Sequence, residues 1–327
     1  MKPLAIRISG KTFVDQEERP LRLLGVNRSG TEYACAEGWG IFDGPSDEPS
    51  IAAISSWHAN AVRVPLNEAC WLGREGIKAE LSGDAYRQAI RGYVDALHRA
   101  GLFVVLDLHW SAPGTEVPLK SPLMPNADHS PRFWRSVAEY FKDDPALVFD
   151  LFNEPREIDW ACLRDGCTTP YGWQAAGMQS LVDAVRSTGA RQPVLVPGLN
   201  FANDLSQWLS FKPNDPARQL GASFHVYKGN NCRDIVCWEA SVTPLTAHVP
   251  VVATELGEGD CDHVFIDEFM QWADVHSVSY LGWSWNPYSC TDQPALISSY
   301  DGTPTNYGVG LRDHLSSLSA TTSPTRP

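Results

Sequence analysis

Two glutamates stand where their carboxylates could act as a pair. Glu154 directly follows the apolar run Leu147–Asn153, and Glu255 lies near the end of the run Val249–Leu256. Two carboxylates that face each other across a cleft can have their pKa values separated by their surroundings. One then serves as an acid while the other stays ionised and serves as a nucleophile. The positions of the two residues therefore indicate paired-carboxylate chemistry.

Polar or aromatic residues also close the other apolar runs of the chain, where a buried strand does not need them. They are Asn27, Arg63, Asp107, His109, Asn153, Asn200, His225, Tyr227 and Trp283. A single residue of this kind is usually structural. Because these residues recur at the same relative place in eight runs, we expect them to surround one site.

Eight short apolar runs alternate with helical patterns and are the predicted strands. They are Leu21–Asn27, Ala59–Leu66, Gly101–His109, Leu147–Asn153, Pro193–Asn200, Gly221–Tyr227, Val249–Leu256 and Ser279–Asn286. The clearest helical patterns are Asp84–Ala100, Pro131–Phe141, Gly172–Ser187 and His263–His276. Continuous apolar strands are typical of a parallel sheet that helices cover. We predict an α/β fold, a single-domain (β/α)8 TIM barrel over residues 1–315, with the strand ends at its C-terminal mouth.

Composition excludes several other classes of protein. The chain has 327 residues and a formal net charge of −13, which argues against binding to nucleic acid. No run of 18 apolar residues occurs, so we expect no membrane span. The sequence contains no His-x-His motif of a metal-dependent barrel hydrolase. We therefore expect neither a metal nor another cofactor.

Six motifs occur in a fixed order along the chain. They are Asn60-Ala61-Val62-Arg63-Val64-Pro65, Leu106-Asp107-Leu108-His109, Phe152-Asn153-Glu154-Pro155, His225-Val226-Tyr227, Thr254-Glu255-Leu256-Gly257 and Trp283-Ser284-Trp285-Asn286-Pro287. This ordered set resembles glycoside hydrolase family 5, the cellulase family of retaining enzymes on (β/α)8 barrels. The resemblance extends from about Leu21 to Leu315.

The resemblance implies a role for each catalytic candidate. Glu154 would be the general acid/base and Glu255 the nucleophile, which Arg63 and Tyr227 would keep ionised. Asn153 would bind the sugar 2-hydroxyl, an interaction that strengthens in the transition state.

Further roles concern orientation and substrate binding. His109 and His225 would orient the carboxylates and the sugar hydroxyls, and Trp283 would stack on the sugar at the cleavage subsite. Only one of Trp283 and Trp285 is expected to face the cleft; the motif match favours Trp283, and we expect Trp285 to lie on the other side, in the core. The remaining candidates for substrate binding are Trp39, Trp110, Asn27 and Asn200.

The function implied is a retaining endo-β-1,4-glucanase that hydrolyses cellulose or related β-glucans. The alternatives are a β-mannanase, activity on xylan or xyloglucan, an exo-acting glucosidase and transglycosylation to a second sugar. An alternative of another class is a catalytically silent glycan-binding barrel, which would require the loss of a carboxylate. The expected partner is a polysaccharide or oligosaccharide, and we expect a monomer.

Eight cysteines all fall in loops that follow predicted strands. In the implied barrel, neighbouring loops suggest the bridges Cys35–Cys70 and Cys261–Cys290, with local bridges Cys162–Cys167 and Cys232–Cys237, although eight cysteines allow 105 connectivities. Disulfides at the mouth favour a secreted enzyme. The Ser/Thr/Pro-rich segment 316–327 is expected to stay extended, as the start of a linker to a carbohydrate-binding module.

Overall fold

The structure is a computed structural model that describes residues 3–322, with side chains described to residue 320. Its strands are β1 Ile6–Ser9, β2 Thr12–Asp15, β3 Pro20–Leu21, β4 Leu24–Asn27, β5 Ala61–Asn67, β6 Phe103–Trp110, β7 Leu147–Asp150, β8 Gly166–Thr168, β9 Gln174–Ala176, β10 Val194–Pro197, β11 Leu220–Tyr227, β12 Val251–Gly257 and β13 Ser279–Gly282. Eight of them form a closed parallel barrel in the order β4, β5, β6, β7, β10, β11, β12, β13. The predicted (β/α)8 barrel is confirmed.

Helices connect the barrel strands. They are α1 Ala34–Glu37, α2 Glu48–Ser56, α3 Glu68–Leu72, α4 Asp84–Arg99, α5 Ser130–Phe141, α6 Trp160–Asp165, α7 Met178–Arg186, α8 Leu199–Ala202, α9 Trp208–Phe211, α10 Ile235–Ser241, α11 Thr243–Thr246, α12 Val264–Val275 and α13 Asn306–Thr322, with a 3₁₀ turn at Ala79–Leu81. The predicted start of α7 at Gly172 is wrong, because Gln174–Ala176 pairs antiparallel with Gly166–Thr168 as a β-hairpin. No helix within residues 3–322 is long and apolar enough to cross a membrane.

The barrel has a closed floor that the sequence analysis missed. Strands β1, β2 and β3 form an antiparallel sheet before the first barrel strand. Ile6, Ile8 and Phe13 pack against residues from the N-terminal ends of the barrel strands, such as Val148 and Leu195. Because this sheet buries the floor of the barrel, the open C-terminal end remains for a site.

Three barrel strands end earlier than predicted. Strand β7 ends at Asp150, β10 at Pro197 and β13 at Gly282. Glu154 and Trp283 therefore lie in the first residues of the following loops. The backbone leaves the hydrogen-bonded ladder at the mouth, although Trp283 N still donates to Leu256 O at 2.9 Å.

The expectation of an extended segment from Ser316 is wrong as far as the structure describes it. Helix α13 continues to Thr322. Leu311 and Leu315 repeat at helical spacing and are buried, and the Ser317 hydroxyl bonds the carbonyl of His314 at 2.7 Å. Residues 323–327 lie outside the described residues, so the linker and its module stay predictions.

Four disulfides tie the loops of the mouth. The bridges are Cys35–Cys70, Cys162–Cys167, Cys232–Cys237 and Cys261–Cys290. They match the predicted pairing. The longest closes 35 residues between the loops after β4 and β5.

Candidate active site

Arg63 lies at the centre of the barrel mouth and binds three carboxylates. Strand β5 carries it, fully buried, and its guanidinium lies 2.8 Å from Glu255 Oε1, 3.0 Å from Asp107 Oδ2 and 3.1 Å from Asp150 Oδ2. Its Nη2 also donates to Asn153 Oδ1 at 2.9 Å. Burial lowers the pKa of Arg63, but the three carboxylates outweigh burial and raise that pKa. A permanent cation is therefore fixed beside Glu255.

Glu255 has both carboxylate oxygens occupied by donors. Arg63 binds Oε1, and the Tyr227 hydroxyl donates to Oε2 at 2.5 Å. Burial and the charge of Glu255 raise the pKa of Tyr227 far above its usual value, so this hydroxyl keeps its proton. Both oxygens of Glu255 thus accept hydrogen bonds from groups that keep their charge or their proton.

His225 stands between the two glutamates. Its Nδ1 lies 3.1 Å from Glu154 Oε1 and 3.4 Å from Glu255 Oε2. A shift of register after Phe224 makes His225 the partner of Glu255 in the ladder between β11 and β12. One atom from each of Glu154, His225 and Glu255 lies within 4.8 Å of the other two. The predicted pair of carboxylates is thus brought together.

The protonation of Glu154 depends on His225. Burial raises the pKa of Glu154, but the hydrogen bond and the charge of His225 outweigh it, so the pKa lies below the usual value. The charges of His109 and Arg156 act in the same direction. In the free site, His225 therefore favours the ionised form of Glu154.

The three residues of this cluster could also hold a metal ion, since each offers a ligand atom. The Arg63 guanidinium, at 2.8 Å, already places a positive charge on the Glu255 carboxylate. The Tyr227 proton occupies the second oxygen of Glu255. This set of donors therefore suits the transfer of protons and covalent chemistry better than the binding of a cation.

His109 is held by Asp107 and supports Trp283. Its Nδ1 lies 2.6 Å from Asp107 Oδ2, and its ring stacks on Trp283 with centroids 5.4 Å apart and planes at 9°. Burial lowers the pKa of His109, but the charge and hydrogen bond of Asp107 outweigh it and raise that pKa. Trp283 is half-buried and turned to the mouth, whereas Trp285 is fully buried against Trp57.

Of the remaining residues predicted to bind substrate, Trp39, Trp110 and Asn200 are accessible to solvent, whereas Asn27 is not. Trp39 is 67% exposed, and the Tyr33 ring lies between it and half-buried Trp110, with centroids at 5.7 and 6.0 Å. Asn200 is exposed, on a left-handed turn with φ 54°. The prediction that Asn27 binds substrate is wrong: it is fully buried, donates to the carbonyl of Thr254 at 2.9 Å and accepts from Arg63.

Two buried acids complete the network around Arg63: Asp107, which was expected near the site but without a role of its own, and Asp150, which was not predicted. Both are acids inside apolar strands, and that is the signal that could have found them. Asp107 joins Arg63 to His109 through one oxygen. Burial raises the pKa of Asp150 to about 6, with Arg63 opposing, and the Ser223 hydroxyl donates to it at 2.9 Å. These two acids fix the direction of the Arg63 side chain.

Comparison with known proteins gives a family match for this chain. The profile of the family Cellulase (glycosyl hydrolase family 5) matches residues 14–289. An endoglucanase of Microbulbifer sp. is 21% identical over 86% of this chain and 51% of its own length. Endoglucanase 1 of Saitozyma flava is 25% identical over 64% of this chain and 58% of its own. The chain thus spans about half the length of the curated relatives it matches.

Solved structures have the same fold. A β-glucanase from Saccharophagus degradans in complex with cellotetraose superimposes with a TM-score of 0.74, at 20% identity over 97% of this chain and 94% of that one. The catalytic domain of an endoglucanase of Thermobifida fusca gives a TM-score of 0.66 at 16% identity, over 95% and 97%. Since the family profile covers most of the chain, from the first sheet to the loop after the last barrel strand, this protein belongs to the cellulase family, glycosyl hydrolase family 5.

Proposed function

We propose that the protein is a retaining endo-β-1,4-glucanase. The observation that carries the proposal is the pair Glu154 and Glu255, with one oxygen of each within 4.8 Å of the other. Retaining glycosidases hold their two carboxyl groups about 5–5.5 Å apart, whereas inverting enzymes leave about 6.5–9.5 Å for a water molecule. The short separation supports direct attack by a carboxylate on the sugar.

In the first step, Glu255 attacks the anomeric carbon while Glu154 protonates the leaving oxygen. Glu154 must be protonated for this step, and the free site favours its ionised form. His225 Nδ1 lies 3.1 Å from Glu154 Oε1 and lowers the pKa of Glu154 against burial, which raises it. His225 therefore tunes the acid.

In the second step, water cleaves the bond between the sugar and Glu255. Glu154 has lost its proton to the leaving group, and its ionised form now accepts a proton from that water. When Glu255 is released from the sugar as a carboxylate, Arg63 and Tyr227 bind its two oxygens. Asn153 has its oxygen on Arg63, so its amide nitrogen is the group left to bind the 2-hydroxyl of the sugar.

The substrate class rests on the shape of the mouth and on the relatives. Exposed Trp39 and half-buried Trp110 and Trp283 provide flat apolar faces for pyranose rings. The relatives named above are endoglucanases, and the related β-glucanase was solved with cellotetraose. A polymer of β-1,4-linked glucose fits both observations.

Export from the cell is part of the proposal. All eight cysteines are paired, and such bridges form and persist in oxidising compartments. A secreted monomer that acts on an insoluble polymer would meet its substrate there. A carbohydrate-binding module beyond residue 327 would hold it on that polymer.

The test is hydrolysis by wild type and by Glu255→Gln. Carboxymethylcellulose, lichenan, mannan and xylan are compared side by side, with the anomeric form of the product followed by NMR. We expect β-glucans to be cleaved with retention, and the variant to lose several orders of magnitude of rate. The exposed Glu268→Gln variant is the matched control. Retained activity above about a tenth of wild type, or an inverted product from wild type, would refute the mechanism.

A further inference from the structure

Asp43 lies in the Gly-rich loop after β4, and no step of the proposed reaction uses it. Its backbone carbonyl accepts from Arg28 Nη2 at 2.6 Å and from the Tyr300 hydroxyl at 2.9 Å. Arg28 is itself buried and stacks over the Tyr300 ring at 5.1 Å. The backbone at Asp43 is therefore fixed by two side chains from distant parts of the chain.

The Asp43 carboxylate is fixed as well, but only on one side. The hydroxyls of Tyr33 and Tyr288 both donate to Oδ2, at 2.5 and 2.8 Å. Burial and the hydrogen bond to Asp43 raise the pKa values of both tyrosines, so they remain donors. Within residues 3–320, no donor bonds Oδ1, and this oxygen is not enclosed. One acceptor oxygen is thus held rigidly and left open.

Two glycines allow the loop to pack at this place. Gly30 has φ +129°, and a Cβ on it would lie 2.8 Å from the Asp43 Cβ. Gly44 has φ +85°, and a Cβ there would collide with the Tyr300 ring. Both backbone conformations favour glycine. The loop is therefore built for close packing around Asp43.

Aromatic rings lie beside the fixed carboxylate of Asp43. Tyr33, which holds its carboxylate, touches the exposed Trp39 ring edge-on at 5.7 Å and the Trp110 ring at 6.0 Å. A flat apolar ring beside a fixed carboxylate offers a pyranose both the surface for its C–H face and an acceptor for its hydroxyls. Trp110 directly follows His109, which stacks on Trp283, so this place adjoins the cleavage subsite.

We propose that Asp43 is the hydroxyl-binding residue of a distal subsite, in which Trp39 supports a β-glucosyl unit of the chain held by Glu255. This inference rests on the proposed function and deepens it. Charge-assisted hydrogen bonds are about twice as strong as neutral ones. Asp43 therefore selects substrates long enough to reach Trp39, and it contributes nothing to those that are too short.

The test uses nitrophenyl β-cello-oligosaccharides of increasing length and the variant Asp43→Asn. Asparagine keeps a carbonyl oxygen for the two tyrosines and removes the charge. We expect the loss in kcat/KM to be small on the shortest substrate and to grow by about tenfold once the chain reaches Trp39. The control is Asp47→Asn in the same loop, where asparagine can still cap α2 as Asp47 does through Ser50 N. The loss in kcat/KM caused by Asp47→Asn should not depend on the length of the substrate.

A structural role for Asp43 makes a different prediction. If the residue only holds the loop, Asp43→Asn lowers the melting temperature and reduces activity equally at every length, and the inference is wrong. Should Asp43→Asn fail to fold, Tyr288→Phe removes one of the two donors that fix the carboxylate and keeps its charge; we then expect a smaller loss in kcat/KM that still grows with substrate length. No loss at any length would also overturn the inference.

A binding measurement separates this inference from the proposed function. Calorimetry with Glu255→Gln, with and without Asp43→Asn, follows the affinity for unmodified cello-oligosaccharides of increasing length. If wild type hydrolyses no glycoside, the proposed function fails, and the affinities still test the subsite. If wild type is active and Asp43→Asn does not change the dependence on length, only the subsite fails.

Discussion

Replacement by alanine should have opposite effects at two tryptophans that are separated by one residue: Trp283→Ala should lose activity, and Trp285→Ala should lose stability. Trp283 is half-buried at the mouth, and Trp285 is fully buried against Trp57, with ring centroids 4.7 Å apart. Trp283→Ala removes a face for the sugar but little of the core. We expect kcat/KM to fall by on the order of a hundredfold, or about 2.7 kcal/mol of transition-state binding, with a nearly unchanged melting temperature.

The cost of Trp285→Ala can be worked out from its surroundings. Removal of a fully buried tryptophan costs about 3–5 kcal/mol of the free energy of unfolding. Within the described part of the chain, the Trp285 Nε1 has no acceptor, and loss of an unpaired buried N–H returns about 1 kcal/mol. A net loss of about 2–4 kcal/mol corresponds to a fall in melting temperature of about 3–6 °C for a chain of this size. Trp285→Phe keeps a ring, removes the unpaired N–H and should cost far less.

The assays are urea unfolding and kinetics on a soluble β-glucan, with all three variants measured at one pH. Kinetics are measured well below the melting temperature, so that loss of fold does not appear as loss of activity. The reasoning would be refuted by the reverse result. That result is an unstable but catalytically normal Trp283→Ala beside a stable but inactive Trp285→Ala.

Two further predictions concern protonation and the disulfides. His225 lowers the pKa of Glu154, so His225→Ala should raise that pKa. The basic limb of the kcat/KM profile should then move to higher pH, because the acid keeps its proton to a higher pH. A shift to lower pH would contradict the role of His225. The double variant Cys35→Ser/Cys70→Ser, which opens a 35-residue loop, should lose about 3–4 kcal/mol of stability on the chain-entropy account. Titration of the denatured, unreduced wild type should find no free thiols, and eight reactive thiols would disprove the bridges.

Local pattern was enough to predict the barrel and the catalytic pair. Continuous apolar runs such as Gly101–His109 mark strands covered on both faces, and the parallel barrel brings their polar ends to one mouth. Glu154 directly follows the fourth of these runs and Glu255 lies near the end of the seventh, which already implied that they face each other. The pairing of the cysteines followed from the same order of strands, because neighbouring strands have neighbouring loops.

Contacts between distant residues were decided only by the tertiary structure. Arg63 and Glu255 are 192 positions apart, and only the register of the barrel strands brings them to 2.8 Å. The buried role of Asn27, the shift that sets His225 beside Glu255 and the four groups that hold Asp43 depend on the same register. Apolar periodicity specifies which face of a strand is buried, but it does not specify which polar partner that face meets. For that reason, the fold and the two glutamates could be predicted from local pattern, whereas the hydrogen-bond network around them depends on the packing of the whole barrel.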